Sequence, residues 1–199
     1  MSKQPVKSKG GRGARQRILD AAAELFYREG INATGVERLA AESSVSKRTL
    51  YQHFPSKTAV VEEYLRSIEQ GVADSVLPGA EASDQTPRER LLAVFEAPMA
   101  RGGPLRGCPF HNAAVEAAGA MPGVQDIVRA SKRSFIDGLT ELAKQAGAAN
   151  PRLLGKQLAV LYEGAAALTT SLDDPSPWAQ ARAAAETLID HAVTSQFVA

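Results

Sequence analysis

Cysteine is almost missing from this chain. Cys108 stands alone among 199 residues, so an intramolecular disulfide framework is excluded and a reducing, cytoplasmic setting is the expectation. Long apolar runs are missing too. No window approaches the ~18 uncharged apolar residues of a membrane-spanning helix, and no membrane partner is expected. The first seventeen residues are polar and basic and lack the apolar core of a signal peptide, so export is not expected. Aromatic residues are only 6% of a chain that is 44% hydrophobic, so aliphatic side chains and alanine must build most of the core. Strand-like alternation and internal repeats are absent as well, which leaves an all-α reading.

Charge is present, but unevenly. Residues 1–57 hold eleven Lys and Arg against five Asp and Glu, whereas 58–199 hold twelve against seventeen. A basic N-terminal third on an acidic remainder points to a polyanionic partner for the first part alone, nucleic acid before an anionic membrane surface. Residues 1–13, with Lys3, Lys7, Lys9 and Arg12 among Ser, Gly and Pro, are expected to form a flexible basic arm.

Helical periodicity begins at Ala14, with Ile18, Leu19, Ala22, Leu25 and Phe26 on one face and Gly30 as terminator. Thr34 and Glu37 have the spacing of a capping box, predicting a short helix that stops near Ser43. Ser46 is placed to cap a third helix, Lys47–Phe54, with Leu50 and Phe54 inward. Pro55 ends that helix and Ser56 caps a fourth. Residues 78–85 are expected to be a polar loop. Thr86, Pro87 and Glu89 open a fifth helix with a cap, a first-turn proline and a returning glutamate. A loop over 101–109, helices from Phe110 to about Ala120 and from Pro122 to Gly147, and two more after Asn150-Pro151 and near Pro177 complete the series.

Two short helices joined by Ser43-Ser44-Val45 fit a helix-turn-helix, whose second helix enters the DNA major groove. Lys47, Arg48, Thr49, Tyr51, Gln52 and His53 lie on the faces left by Leu50 and Phe54 and are all hydrogen-bond donors. Such a face suits a groove ~12 Å wide. Lys57 opens the next helix, where its charge and the backbone N–H groups would meet a phosphate together. Blander roles are open at this point: Tyr51 packed on the first helix, His53 without a contact, and Arg48 paired with Glu37 or Glu42.

The run Val45–Lys57, V-S-K-R-T-L-Y-Q-H-F-P-S-K, with R-I-L-D-A-A-A-E-L-F, G-I-N-A-T and L-A before it, closely resembles the TetR family of bacterial regulators over residues 14–65. The resemblance implies phosphate contacts by Thr49, Tyr51, His53 and Lys57, base contacts by Lys47, Arg48 and Gln52, and core roles for Leu50 and Phe54. It also implies a three-helix DNA-binding domain over 14–60. A larger helical ligand-binding and dimerisation domain would follow over 61–199, in a repressor that leaves its double-stranded operator when a small effector binds. Ala-rich apolar spacing on 151–172 and 177–196 supports a homodimer through those helices, or an intrachain core, or both.

Expected lining of an apolar effector pocket is Phe95, Met99, Phe110, Phe135 and Tyr162, with His111, Asn112 and Glu116 as its polar groups. Arg106–Glu116, R-G-C-P-F-H-N-A-A-V-E, resembles a stretch in one branch of the family. Cys108, His111 and Glu116 fall short of the four ligands of a zinc site. No cofactor is expected, and a Cys–His nucleophile or a redox-sensing thiol competes with a buried cysteine. Trp178 is expected to pack near a helix start. Two other functions compete with a regulator: an enzyme using Cys108 or His111, and a sequence-tolerant DNA-packaging protein.

Overall fold

The computed structural model describes residues 13–76, 84–100 and 106–194, without the side chains of 70–76, 97–100 and 194. The expected arm (Gly13 apart), most of the 78–85 loop, the first half of the 101–109 loop and the Met99 side chain lie outside the described residues. Among those described, every regular element is a helix: α1 (Ala14–Arg28), α2 (Val36–Glu42), α3 (Lys47–His53), α4 (Lys57–Val76), α5 (Pro87–Ala100), α6 (Pro109–Glu116), α7 (Pro122–Gln145), α8 (Pro151–Leu172) and α9 (Pro177–Thr194). No helix among them is long and apolar enough to cross a membrane. The chain divides into two compact units within α4, between Tyr64 and Leu65.

The first unit is held by α1, which buries Ile18, Leu19, Ala22, Leu25 and Phe26. Phe26 meets the ring of Tyr64 edge-on at 5.5 Å. The expected Thr34 cap does not form. α2 starts after Gly35 without a side-chain cap, and the buried Thr34 hydroxyl donates instead to the Gly30 carbonyl at 2.7 Å. Glu37 is thereby left to reach elsewhere. The other caps form: Ser46 Oγ accepts from the Thr49 N–H at 3.0 Å, and Ser56 Oγ from that of Ala59 at 3.1 Å. Phe54 turns extended, as a residue before proline must, and stays buried.

In the second unit α5, α7, α8 and α9 share one core, with Leu91, Phe95, Leu139, Leu142, Leu154, Leu158, Trp178, Ala185 and Ile189 buried in it. Thr86 and Glu89 close a reciprocal capping box on α5. Asn150 Oδ1 caps α8 by accepting from Leu153 N–H at 3.1 Å. α6 ends at Glu116, four residues short of the expected Ala120, where 117–120 form turns. The apolar stripe on α9, Trp178, Ala181 and Ala185, is buried within this chain, so Ala185 belongs to the intrachain core.

α7 and α8 approach each other closely at Gly155. A methyl group there would stand 2.5 Å from Thr140 Oγ1 and 2.9 Å from its backbone N. The hydroxyl can rotate; the backbone cannot. Outside the core, Arg88 binds Asp190 through two nitrogens, at 2.8 and 3.0 Å, and reaches Glu186. Arg182 pairs with Glu96 and Glu186, so the network ties α5 to α9.

Gly155→Ala should therefore lower stability by ~1 kcal/mol, since overpacking outweighs the ~1 kcal/mol that alanine gains in helix propensity. Thermal denaturation measures it. A second expectation concerns pH. Hydrogen bonding to Arg88 holds the Asp190 carboxyl below its ordinary value, so this pair adds stability at neutral pH that is lost as pH falls through the folded-state value. Exposed pairs contribute only ~0.2–1 kcal/mol. Arg88→Ala should lower the melting temperature at pH 7 by a few degrees at most, and the gap to wild type should close below about pH 4, near the unfolded carboxylate range.

Candidate nucleic-acid interface and effector cleft

The α2–α3 turn owes its shape to backbone hydrogen bonds rather than to glycine. Val45 N–H donates to Ala40 O at 3.0 Å and Ser44 N–H to Ala41 O at 3.1 Å, the paired bonds of a Schellman motif. Ser44 takes the left-handed position at φ 52°. Ser43 Oγ donates to Leu39 O at 2.6 Å, and Arg17 of α1 donates from Nε to Ser43 O at 3.1 Å. Arg15 lies over the Phe54 ring, 5.3 Å from its centroid, and pairs with Glu63. Thus α1 holds both the turn before α3 and the residue that ends it. Sequence reasoning missed Arg15 and Arg17, because their partners are remote in the chain.

This scaffold leaves α3 with one buried face, Leu50, and one open one. Lys47, Arg48, Tyr51, Gln52 and His53 are exposed, and Thr49 and Lys57 are half-buried. Tyr51 is 47% exposed, which places its ring on the surface rather than against α1. Thr49 shares a 2.9 Å hydrogen bond with Ser46 Oγ. Arg48 pairs with neither Glu37 nor Glu42. Glu37 instead accepts from Lys47 Nζ at 2.5 Å, and Glu42 pairs with Arg38. That hydrogen bond lowers the Glu37 carboxyl pKa and raises that of Lys47.

In the second unit the residues expected to line a pocket separate into two groups. Phe95, Phe135 and Trp178 surround the Tyr162 ring, with centroids 6.2, 5.0 and 4.9 Å from it, and Phe95 and Phe110 are buried. His111 and Asn112 instead line a half-open cleft of about 160 Å³ with Gly107, Cys108, Glu163, Thr170 and Ser171. Glu116 is half-buried and is not part of that lining. Gly107, at φ 69°, presses onto α8. A methyl there would stand 2.6 Å from Thr170 Oγ1 and 3.1 Å from Ala166 O. Lys132 of α7 donates to Cys108 Sγ at 3.3 Å and pairs with Glu163 of α8. Asn112 Nδ2 holds the loop by donating to Arg106 O at 2.7 Å. Among the described residues, no hydrogen bond joins Cys108 to His111, and no group of three metal-ligating side chains forms. Sequence reasoning did not find Glu163 or Thr170, which lie more than fifty residues beyond the α6 loop.

A helix-turn-helix with an open cationic reading helix, followed by a separate helical unit, defines a class of transcriptional regulators. A family model described as bacterial regulatory proteins, tetR family, matches residues 18–64. A second, tetracyclin repressor-like C-terminal domain, matches 86–185. The chain belongs to the TetR family. A TetR-family regulator from Streptomyces coelicolor is similar in structure, with a TM-score of 0.81 and 30% identity, over 90% of this chain and 96% of that one. A putative one from Streptomyces avermitilis gives 0.80 and 32%, over 91% and 98%. The transcriptional activator FasR of Mycolicibacterium smegmatis is 38% identical over 86 residues, 42% of this chain and 37% of that protein. The transcriptional repressor KstR2 of Rhodococcus jostii is 39% identical over 67 residues, 33% of each. The match thus spans about a third of the length of these two curated relatives.

The Glu37–Lys47 pair yields a prediction. Glu37→Gln removes a negative charge beside the reading face, so affinity for duplex DNA of any sequence should rise several-fold at low salt. The gain should shrink as salt is added. Fluorescence anisotropy across a salt series measures both effects.

Proposed function

We propose that this chain is a repressor that binds a palindromic operator as a homodimer and releases it when a small molecule occupies its second unit. The observation that carries the reading is the open face of α3: five exposed donor-bearing side chains over a buried Leu50. In this reading Lys47, Arg48 and Gln52 read bases. Thr49, Tyr51, His53 and Lys57 hold phosphates, with the first N–H groups of α4 beside Lys57. The relatives include both an activator and a repressor by name; repression here is the sense the family resemblance implies, and an operator–reporter fusion reads it directly.

Dimerisation through 151–172 and 177–196 is supported by side chains left open on α8. Leu153, Val160, Leu168 and Leu172 are 52–72% exposed, and the exposed Ala183, Ala184 and Thr187 form a small-residue face on α9. Large apolar groups clustered on one helix face mark an interaction surface. Each helix then serves an intrachain core on one side and a partner on the other. Release follows from linkage: an effector that prefers a conformation with wrongly spaced reading helices lowers DNA affinity by its differential binding.

Selection of bound sequences from random DNA tests the class and the symmetry together. A palindrome is expected, and a failure to enrich any sequence would indicate a packaging protein instead. On the selected operator, Lys57→Ala should weaken binding to all sequences alike and reduce the salt slope by ~0.9 per half-site. Arg48→Ala or Gln52→Ala should instead relax preference at particular base pairs, at ~1–3 kcal/mol each. Unchanged sequence preference in both variants would remove the base-reading role.

A further inference from the structure

We propose that the cleft between the α6 loop and α8 is the effector site, that it takes a small neutral molecule bearing a hydroxyl or amide, and that a second copy of this chain forms its outer wall. The inference rests on the dimeric reading above and adds where the ligand sits, what it is and what encloses it.

Size and chemistry set the ligand class. A cleft of about 160 Å³ is close to the ~150 Å³ cavity that admits benzene, which limits the occupant to roughly six to ten non-hydrogen atoms. Its one carboxylate, Glu163, is paired with Lys132, so the wall offers no free carboxylate to a cation. Beside the His111 ring, which can both donate and accept, its hydrogen-bonding capacity is mainly accepting. Asn112 donates to Arg106 O, which leaves its carbonyl oxygen, and Ser171 Oγ donates to Ala167 O, which leaves its lone pairs. The aromatic cluster around Tyr162 offers less: its rings already pack on one another at contact distances.

The enclosing wall follows from helix geometry. With 3.6 residues per turn, Val160, Gly164, Ala167 and Ser171 fall within a sector of about 60° on α8, with Leu168 beside it. Ala167 and Ser171 line the cleft. Val160 is 72% and Leu168 52% exposed, and a Cβ on Gly164 would meet nothing within 4 Å. The mouth of the cleft and the exposed apolar strip are therefore one surface. A helix ~10 Å across that covers Val160 and Leu168 passes over Ala167 and Ser171 as well. A single copy holds an open half-site; two copies close it, and ligand occupancy then bears directly on how the two chains are spaced.

Cys108 lines the same cleft and is the one cysteine of the chain, so its labelling by dithiobis-nitrobenzoate reports access. Sedimentation first establishes the oligomeric state. Labelling of the wild-type dimer should be at least roughly tenfold slower than that of Val160→Asp/Leu168→Asp, a variant designed to stay monomeric, because thiol reaction depends on exposure. If circular dichroism shows that variant unfolded, dilution of the wild type through its dimer dissociation must produce the same acceleration. Ser171→Trp should raise the dimer dissociation constant roughly tenfold or more by overpacking the mouth. Phenol or benzamide at millimolar concentration should slow wild-type labelling about twofold, as ligands of modest efficiency do, and should not slow it in Ser171→Trp. A wild-type dimer with a labelling rate unaffected by dissociation, or with an unaltered dissociation constant in Ser171→Trp, overturns the shared wall while leaving the dimeric reading intact. A wild-type monomer at micromolar concentration overturns both. Protection by neither phenol nor benzamide overturns the ligand class.

Discussion

Helix α8 lies against α7 at a point where a glycine faces backbone, with no space for a single methyl group between Gly155 and Thr140. That approach brings the two longest helices of the second unit into direct packing, and the surrounding side chains follow from it. Leu139, Leu142, Leu154 and Leu158 interlock in the core beside it. Farther along α8, Glu163 reaches Lys132 of α7, and Lys132 reaches Cys108 at the start of α6. A second glycine, Gly107, then seats the α6 loop on Ala166 and Thr170. The Gly107 contact thus sets the loop wall of the cleft against α8.

Among the described residues, the same helix leaves its remaining side exposed. Its buried residues, Leu154, Leu158, Ala165 and Thr169, occupy one sector, and the exposed Leu153, Val160 and Leu168 another. Exposed apolar area of this kind favours association. Core packing, the cleft and the open face are therefore three consequences of one element.

The first unit solves a different problem, which is to keep a seven-residue helix rigid while leaving most of its surface open. Isolated helices of this length are marginal in water. α3 is held by the Ser46 cap, by Leu50 in the core and by Phe54 under Arg15. Arg17 on the Ser43 carbonyl sets the angle at which the chain enters. Nearly all the stabilising contacts lie on the inner side, so Lys47, Arg48, Gln52 and His53 stay exposed without loss of support.

Local chemistry was readable from the residues alone. Caps at Ser46, Ser56, Thr86 and Asn150, the breaks at Pro55 and Gly147, and the apolar spacing of the helices all depend on neighbours within four or five residues, and each formed as expected. The open face of α3 was legible for the same reason, because Leu50 and Phe54 define its inner side by spacing. Thr34 did not cap α2, which starts after Gly35; its hydroxyl donates back to the Gly30 carbonyl. What joins residues far apart in the chain was decided by tertiary structure. Glu37 rather than Arg48 became the partner question at α3, and it was Lys47 that answered it. The expected pocket residues divided between a packed ring cluster and a cleft, and Glu163 and Thr170 joined that cleft from α8. The α9 stripe turned inward, although its spacing suited a partner equally well. Periodicity states which residues of a helix share a face; only the packing of the other helices decides what that face meets.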